Sequence, residues 1–306
     1  MTNEEIEVNV AKFHKFMENA YDYQEALDRQ NLKQEDVDML RQLIKGSEYV
    51  PQFITDKQLL LFLNAYKNDA EKSAVKLENY YKLRKETPEF FENRDLESKE
   101  IQASLDHLYY IGLPVTPDNC NLIYHALSSY VPKHYVFDDV IKTYIMVGEA
   151  YCYRNGPRDG TIFVDDLKGG TFWHLFQASL SSIRKGIRFL EDGSPLEPVK
   201  AIHIFNTLPF VSTIVNMVKP FILTDVLNKL HFHTSSIDYE KFYKEHIPKS
   251  CLPSDYGGDL ESVAELHKKH REELMTLNDY FIMEYRQQKS EFDEFSDCDE
   301  LRQKSV

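Results

Sequence analysis

Cysteine is scarce in this chain of 306 residues. There are four, Cys120, Cys152, Cys251 and Cys298, far apart and with no C-x-x-C pair. That argues against a disulfide scaffold and a thiolate metal site and fits reduced thiols in the cytosol. No run of eighteen apolar residues exists, so no membrane span is expected. The start, Met1-Thr2-Asn3-Glu4-Glu5, is acidic and lacks the apolar core of a signal peptide. Basic residues are outnumbered: 36 Lys and Arg face 50 Asp and Glu, a formal net charge of −14. Such a balance disfavours nonspecific binding to nucleic acid or to an anionic membrane. The phosphate-binding patterns G-x-x-x-x-G-K-[ST] and G-x-G-x-x-G are missing, as is the nucleophile elbow G-x-S-x-G. No catalytic residue, cofactor or metal is expected, and the chain does not read as an enzyme.

Hydrophobic residues make up 42% of the chain, enough for a sizeable core. Residues 1–95 read as a helical bundle. Gln34 to Ile44 is amphipathic, Thr55 or Asp56 caps a helix through Lys67, and Asp69 caps one that runs to Glu86 and stops before Pro88. From about residue 96 to 262, strand and helix signals alternate. Tyr109–Val115, Leu122–Leu127, Thr161–Val164, Ala201–Asn206 and Lys229–His233 suit strands. Phe137–Tyr153 and Phe172–Leu190 suit helices. This is the α/β class, a helical N-terminal bundle followed by a mixed, mainly parallel sheet with crossover helices. Residues 263–306 add a charged helix, Glu261 to Gln288, with Glu265/Lys269, Lys268/Glu272 and Lys269/Glu273 at salt-bridging spacing. An acidic tail follows, in which Ser290 and Ser296 are candidate phosphorylation sites.

The segment from Phe210 to Leu223 is the most telling. As a helix at about 100° per residue, it gathers Phe210, Val211, Ile214, Val215, Met217, Val218, Phe221 and Ile222 on one continuous face. That face holds no acid, base or nucleophile. Pro220 inside the run is a natural kink or hinge. A greasy, kinked helix between two strands reads as a lid over an apolar cavity.

Other groupings have plainer readings. Asp165 and Asp166 end a strand before Gly169-Gly170, but neighbours on a strand face opposite ways, so they do not form a facing pair and read as turn residues. His231 and His233 point the same way with no third metal ligand in spacing. His267 and His270 sit among salt pairs and read as surface. Arg184, Lys185 and Arg188 read as a solvated basic face.

Four patterns in order resemble the CRAL-TRIO (Sec14-like) family over roughly residues 35–262. They are Phe62-Leu63-Asn64-Ala65-Tyr66-Lys67-Asn68-Asp69 with Ala74; Gly160 through Asp166-Leu167-Lys168-Gly169 with Phe172 and His174; Ile202-His203-Ile204-Phe205-Asn206 with Lys219-Pro220-Phe221, Leu230-His231 and His233; and Ile247-Pro248, Leu252-Pro253 and Tyr256-Gly257-Gly258. The likeness is to the branch of tocopherol and retinaldehyde carriers and their insect relatives. It implies a cytoplasmic carrier of one hydrophobic small molecule (a tocopherol, retinoid, carotenoid or other terpenoid), monomeric and in transient contact with membranes. By position, the pocket would draw on Ile141, Tyr144, Ile145, Gly148, Phe163, Ile187, Leu190 and Ile204. The gate would add Val211, Ile214, Val215, Val218 and Ile222, with Phe221 beside them. Tyr144 or Ser179 would meet a hydroxyl head. Asn64 and Tyr66 stand where the family's phosphoinositide cleft has arginines, and Asp225 where a base is common. Lys200 and Lys229 remain for a weak phosphoinositide contact. A second reading is a lipid-regulated adaptor whose pocket is vestigial or regulatory.

Overall fold

The structure is a computed structural model that describes residues 3–192, 194–195, 198–289 and 291. Its helical half comprises α1 (Asn3–Glu18), α2 (Tyr23–Gln30), α3 (Gln34–Leu43), α4 (Asp56–Ala65), α5 (Ala70–Glu86) and α6 (Pro88–Phe91). Asp22, Thr55 and Asp69 cap α2, α4 and α5 by accepting the backbone N–H three residues on, which satisfies one orphan donor at each start. The second half runs α7 (Lys99–His107), β1 (Leu108–Leu113), β2 (Cys120–Leu127), α8 (Phe137–Asn155), β3 (Gly160–Asp166), α9 (Phe172–Leu175), α10 (Leu180–Asp192) and β4 (Val199–Phe205). It continues through α11 (Val211–Val218), α12 (Thr224–Leu227), β5 (Leu230–Phe232), α13 (Tyr239–Glu245), α14 (Val263–Met275) and α15 (Asn278–Gln288).

The five strands lie in chain order, β1 to β5, antiparallel between β1 and β2 and parallel from β2 onward. The expected helical bundle and mixed, mainly parallel sheet are both present. Strands that march one way, joined by crossovers of one hand, put the crossover helices on one face. Here α8 and α10 share that face. The other face buries Tyr124, Val164 and Phe205 under Phe242 of α13 and the segment carrying Ile247, Leu252 and Tyr256. The Tyr256-Gly257-Gly258 turn is fixed sterically: Gly257 has φ 70°, and a Cβ on Gly258 would collide with the Leu252 carbonyl.

Three expectations need correction. Phe172–Leu190 is not one helix, because Ser179 accepts the Ser182 N–H at 2.9 Å and starts α10 afresh. The helix from Phe210 does not kink at Pro220 but ends at Val218. Proline's missing N–H lets the chain tighten into a 3₁₀ turn over Lys219–Phe221. The charged stretch from Glu261 is not a solvated helix. It divides into α14 and α15, which bury His267, His270, Leu274, Phe281 and Glu284. His267 is an interior residue that accepts the Tyr110 N–H at 3.2 Å and bonds the Leu105 carbonyl through Nε2 at 3.0 Å. Burial lowers the His270 pKa to about 3. The salt partners also differ, with Lys269 on Glu261 and Glu273 on Arg154. Ser290, Ser296 and Cys298 lie outside the described residues, while Cys120, Cys152 and Cys251 are buried free thiols.

The halves are locked by four buried charges. Arg84 of α5 and Arg94 are 1% and 2% exposed. Arg84 bonds Glu284 of α15 at 2.6 Å and lies 3.5 Å from Glu149 of α8. Arg94 bonds Glu284 at 2.6 Å and also pairs with Glu149. Tyr80 donates to Glu149 at 2.8 Å. Burial alone would raise the Glu149 pKa, but Arg94 and Arg84 overcome it and hold the carboxyl below its ordinary value. Replacing Glu284 with Ala leaves two buried guanidinium groups sharing the single carboxylate of Glu149 and should cost about 3–5 kcal/mol of unfolding free energy. Urea denaturation measures it; a loss within experimental error would mean that the network is energetically idle.

Candidate functional site

Between the crossover helices and the sheet lies a cavity of about 450 Å³, within the range of small-molecule pockets. Helix α8 presents Phe137, Ile141, Tyr144 and Ile145 to it, the three- and four-residue spacing of one helical face. β3 contributes Phe163 and Asp165, alternate residues on one side of the sheet, and β4 contributes Ile202. α10 adds Ile183, Gly186, Ile187 and Leu190. Phe189 of α10 also lines the cavity and packs on Tyr80 and Phe91 of the helical bundle, with ring centroids 5.9 and 5.1 Å apart. Lys185 and Arg188 pair with Glu89 and Glu86 at 2.6 and 3.2 Å. These bases therefore bolt the cavity wall to the bundle and are not a freely solvated face.

Six of the residues carried over by position line the cavity: Ile141, Tyr144, Ile145, Phe163, Ile187 and Leu190. Gly148, Ile204, Val211, Val215, Phe221 and Ile222 are not among its described lining. Ile202 takes the place expected for Ile204, which pairs with Phe232 at the edge strand. From the gate, Leu208 and Phe210 reach the cavity, just ahead of α11. The side chains of Ile214, Met217 and Val218 lie outside the described residues. Phe221 instead sits beneath the Arg184 guanidinium, 3.9 Å from its ring centroid, and the Leu223 N–H donates to Glu191 at 2.6 Å. At its other end, Phe210 meets Phe172 edge-on with centroids 5.9 Å apart. The gate is thus held at both ends by aromatic and single polar contacts. Ser179 is committed to its capping role with Ser182.

The polar lining was missed in the sequence. His125 of β2 and Asp165 of β3 are register partners, and His125 Nδ1 lies 3.3 Å from Asp165 Oδ1. Burial, then Asp165, pushes the Tyr144 hydroxyl pKa well up, and the same two causes raise that of Tyr135. Both strands were read correctly; what one sequence does not carry is the register that pairs them. Asp166 is a turn residue, as expected, accepting from the Tyr256 hydroxyl at 2.6 Å and from Asn206 and the Lys168 N–H at 2.7 Å each.

Beside the cavity mouth, α9 and the residue after it expose Phe172, Trp173 (67% exposed) and Phe176 (64% exposed), with Phe176 edge-on to Phe172 and tilted against Trp173. Lys200 and Lys229 lie at the opposite, amino-terminal ends of β4 and β5. Asn64 donates to the Arg158 carbonyl at 2.6 Å, and the Tyr66 ring lies under Lys72 and Lys76. Among the described residues, no helix is long and apolar enough to cross a membrane.

Comparison with known proteins agrees with this geometry. A CRAL/TRIO domain model matches residues 108–258, and a Pinta-like UBA domain model matches residues 29–101. Residues 108–258 thus carry a CRAL/TRIO domain. It is 26% identical over 226 residues to an alpha-tocopherol transfer protein-like protein of Mus musculus, an alignment covering 73% of this chain and 64% of that one. The Homo sapiens protein of the same description is 27% identical over 227 residues, with the same coverage. This chain thus spans about 64% of the length of these two relatives. A SEC14 cytosolic factor of Kluyveromyces lactis is 27% identical over 237 residues, covering 72% of this chain and 76% of that one. The crystal structure of Sfh5 shares the fold at a TM-score of 0.50 and 15% identity, covering 69% of this chain and 75% of that one. None of these relatives is an insect protein, so that finer expectation gains no support from them.

On the sheet's outer face, His231 and His233 do meet further imidazoles. His203 Nδ1 is 3.0 Å from His233 Nε2, and its ring lies 4.9 Å from those of both His231 and His246. Among the described residues, no group of three or more His, Cys, Asp or Glu has metal-holding geometry. Burial, then the neighbouring imidazoles, lowers the pKa to about 3 for His203 and about 4 for His233, from 6.5. The unfolded chain therefore binds more protons between those values, so the stability from keeping these rings neutral is full above pH 6.5 and is lost on acidification toward pH 4. The urea midpoint should fall between pH 6.5 and 4.5, and more shallowly in His203→Leu; equal slopes in the two proteins would remove the cluster from the account.

Proposed function

We propose that this chain is a carrier for one hydrophobic small molecule, loaded and released at membranes through the gate that begins at Phe210. The observation that supports it is an apolar cavity of about 450 Å³ that Leu208 and Phe210, just ahead of the apolar helix α11, close on one side. Burying ~400 Å² of ligand surface would contribute on the order of 10 kcal/mol before binding costs, enough to hold a molecule with almost no solubility in water. The likeness to the mammalian alpha-tocopherol transfer protein-like proteins favours a tocopherol-like cargo, and retinoids and other terpenoids are of the same class. The binding residues are those that line the cavity, led by Ile141, Tyr144, Ile145, Phe163, Ile187 and Leu190. The chain acts without catalysis, as a cytoplasmic monomer.

The exposed Phe172, Trp173 and Phe176 are the membrane-facing element of this reading. Trp and Phe beside an opening suit the interfacial layer of a bilayer, where amphipathic rings settle. They flank the mouth through Thr171 and His174 and touch the gate through Phe210. Insertion would draw Phe172 away from Phe210 and loosen the gate. Lys200 and Lys229 are left as a weak secondary contact for anionic headgroups.

Mass spectrometry of lipids retained after incubation with a lysate of the native source tests the carrier reading. One isoprenoid at close to one per protein is expected. An empty protein would turn the reading toward an adaptor. Vesicle-to-vesicle transfer of that lipid by the Trp173→Ser, Phe176→Ser double variant should slow about tenfold with loading unchanged; an undiminished rate would move the membrane contact elsewhere.

A further inference from the structure

Large apolar side chains exposed to solvent are not scattered evenly over this molecule. Seven of the thirteen among the described residues fall in two segments, 130–136 and 172–180. The second is α9 and its run into α10. The first, the connection from β2 to α8, exposes Tyr130 (53%), Val131 (42%) and Val136 (50%). The two segments touch. The Tyr130 ring lies over Gly169, where any Cβ would collide with it, and Tyr135 packs edge-on to His174 with centroids 5.9 Å apart. The connection is also tied down. In its 3₁₀ turn over Pro132–His134, the His134 and Tyr135 N–H groups donate to the Val131 and Pro132 carbonyls at 2.9 and 3.0 Å. The Ser128 and Ser129 N–H groups both donate to the His107 carbonyl at 3.0 Å, and the His134 ring stacks on His107 with centroids 4.0 Å apart. Charge sets both segments apart. The chain has 50 acids in 306 residues, yet none occurs from Ser128 to Phe137 or from Leu167 to Leu190. Lys133 and Lys168 are exposed there.

We propose that residues 130–136 form a second bilayer-docking loop, which enters the interfacial layer beside α9. This rests on the carrier reading and adds a contact to it. Contiguous exposed apolar surface marks an interaction site. Two observations select a lipid surface over a protein one. Tyrosine, tryptophan and aliphatic side chains with lysine and no acid are the composition of a membrane-interface anchor, and each lysine near an anionic leaflet adds attraction. The loop is also a lip of the cavity, since Leu127, Tyr135 and Phe137 at its ends line the hollow. A protein seated on that lip would cover the way out, whereas a bilayer brings its apolar interior up to it. Because the loop is already held by its own hydrogen bonds, docking it costs little conformational entropy.

Trp173 is the chain's only tryptophan, so its fluorescence reports on α9 alone. The full chain is mixed with vesicles of phosphatidylcholine and phosphatidylserine in equal parts, with brominated acyl chains as quenchers. The Trp173→Phe, Tyr130→Trp double variant moves the probe to the loop. Quenching at position 130 comparable to that at Trp173 is expected. Quenching at Trp173 alone overturns the proposal and leaves α9 and the carrier reading standing; quenching at neither position overturns it together with the α9 contact. In a second arm, Val131→Ser combined with Lys133→Glu should lower partitioning into the same vesicles about tenfold, with the thermal unfolding midpoint unmoved. Partitioning equal to that of the wild type overturns the proposal.

Discussion

The structure depends on the Arg84, Arg94, Glu149 and Glu284 network. Two arginines and two glutamates withdrawn from water are costly, and only close, multiply bonded geometry offsets the desolvation. Here each guanidinium meets both carboxylates, and the two cations lie near the rings of Phe91 and Phe281, 4.8 and 5.0 Å from their centroids. The network unites α5, the connection after α6, α8 and α15. Glu149 lies one turn beyond Ile145 on the same face of α8, so the helix that forms the cavity wall is pinned by charges just past the cavity. Apolar contacts alone would let such a helix slide; paired charges fix its axial position.

The sheet supplies the second constraint. Parallel strands in chain order place α8 and α10 on one side, so the cavity opens where two crossovers splay over Phe163 and Ile202 and not at a cleft between sheet halves. Nothing in that arrangement needs a nucleotide-binding turn, and the absence of glycine-rich motifs agrees with it. The helical bundle is more than an appendage. It buttresses α10 through Phe189, Lys185 and Arg188, and so sets how far the cavity floor can yield.

Periodicity made most elements legible in the sequence. β2, α8, β3 and β4 appear within a few residues of their expected bounds because their apolar spacing is regular. Local capping and backbone chemistry decided the failures: Ser179 divides one expected helix, and Pro220 ends another that the apolar pattern carried further. His267 and His270 were misjudged because salt-bridging spacing is a property of one helix, whereas their burial comes from β1 and α7. Ile141, Tyr144, Ile145, Phe163, Ile187 and Leu190 of the cavity wall followed from the position-by-position likeness to the family, while most of the wall did not. The His125–Asp165 pair did not, since it arises from parallel register between strands some forty positions apart.

The network also bears on the order in which the molecule is made. Synthesis delivers Arg84 and Arg94 early, Glu149 next and Glu284 last, so a nascent chain carries two sequestered cations against one anion until α15 emerges. Domains form from the amino end while translation proceeds, but here the cavity helix has only half of its electrostatic anchor at that stage. A hydrophobic hollow that sets late spends less of its life open to the greasy contents of a crowded cell before its owner can discriminate among them.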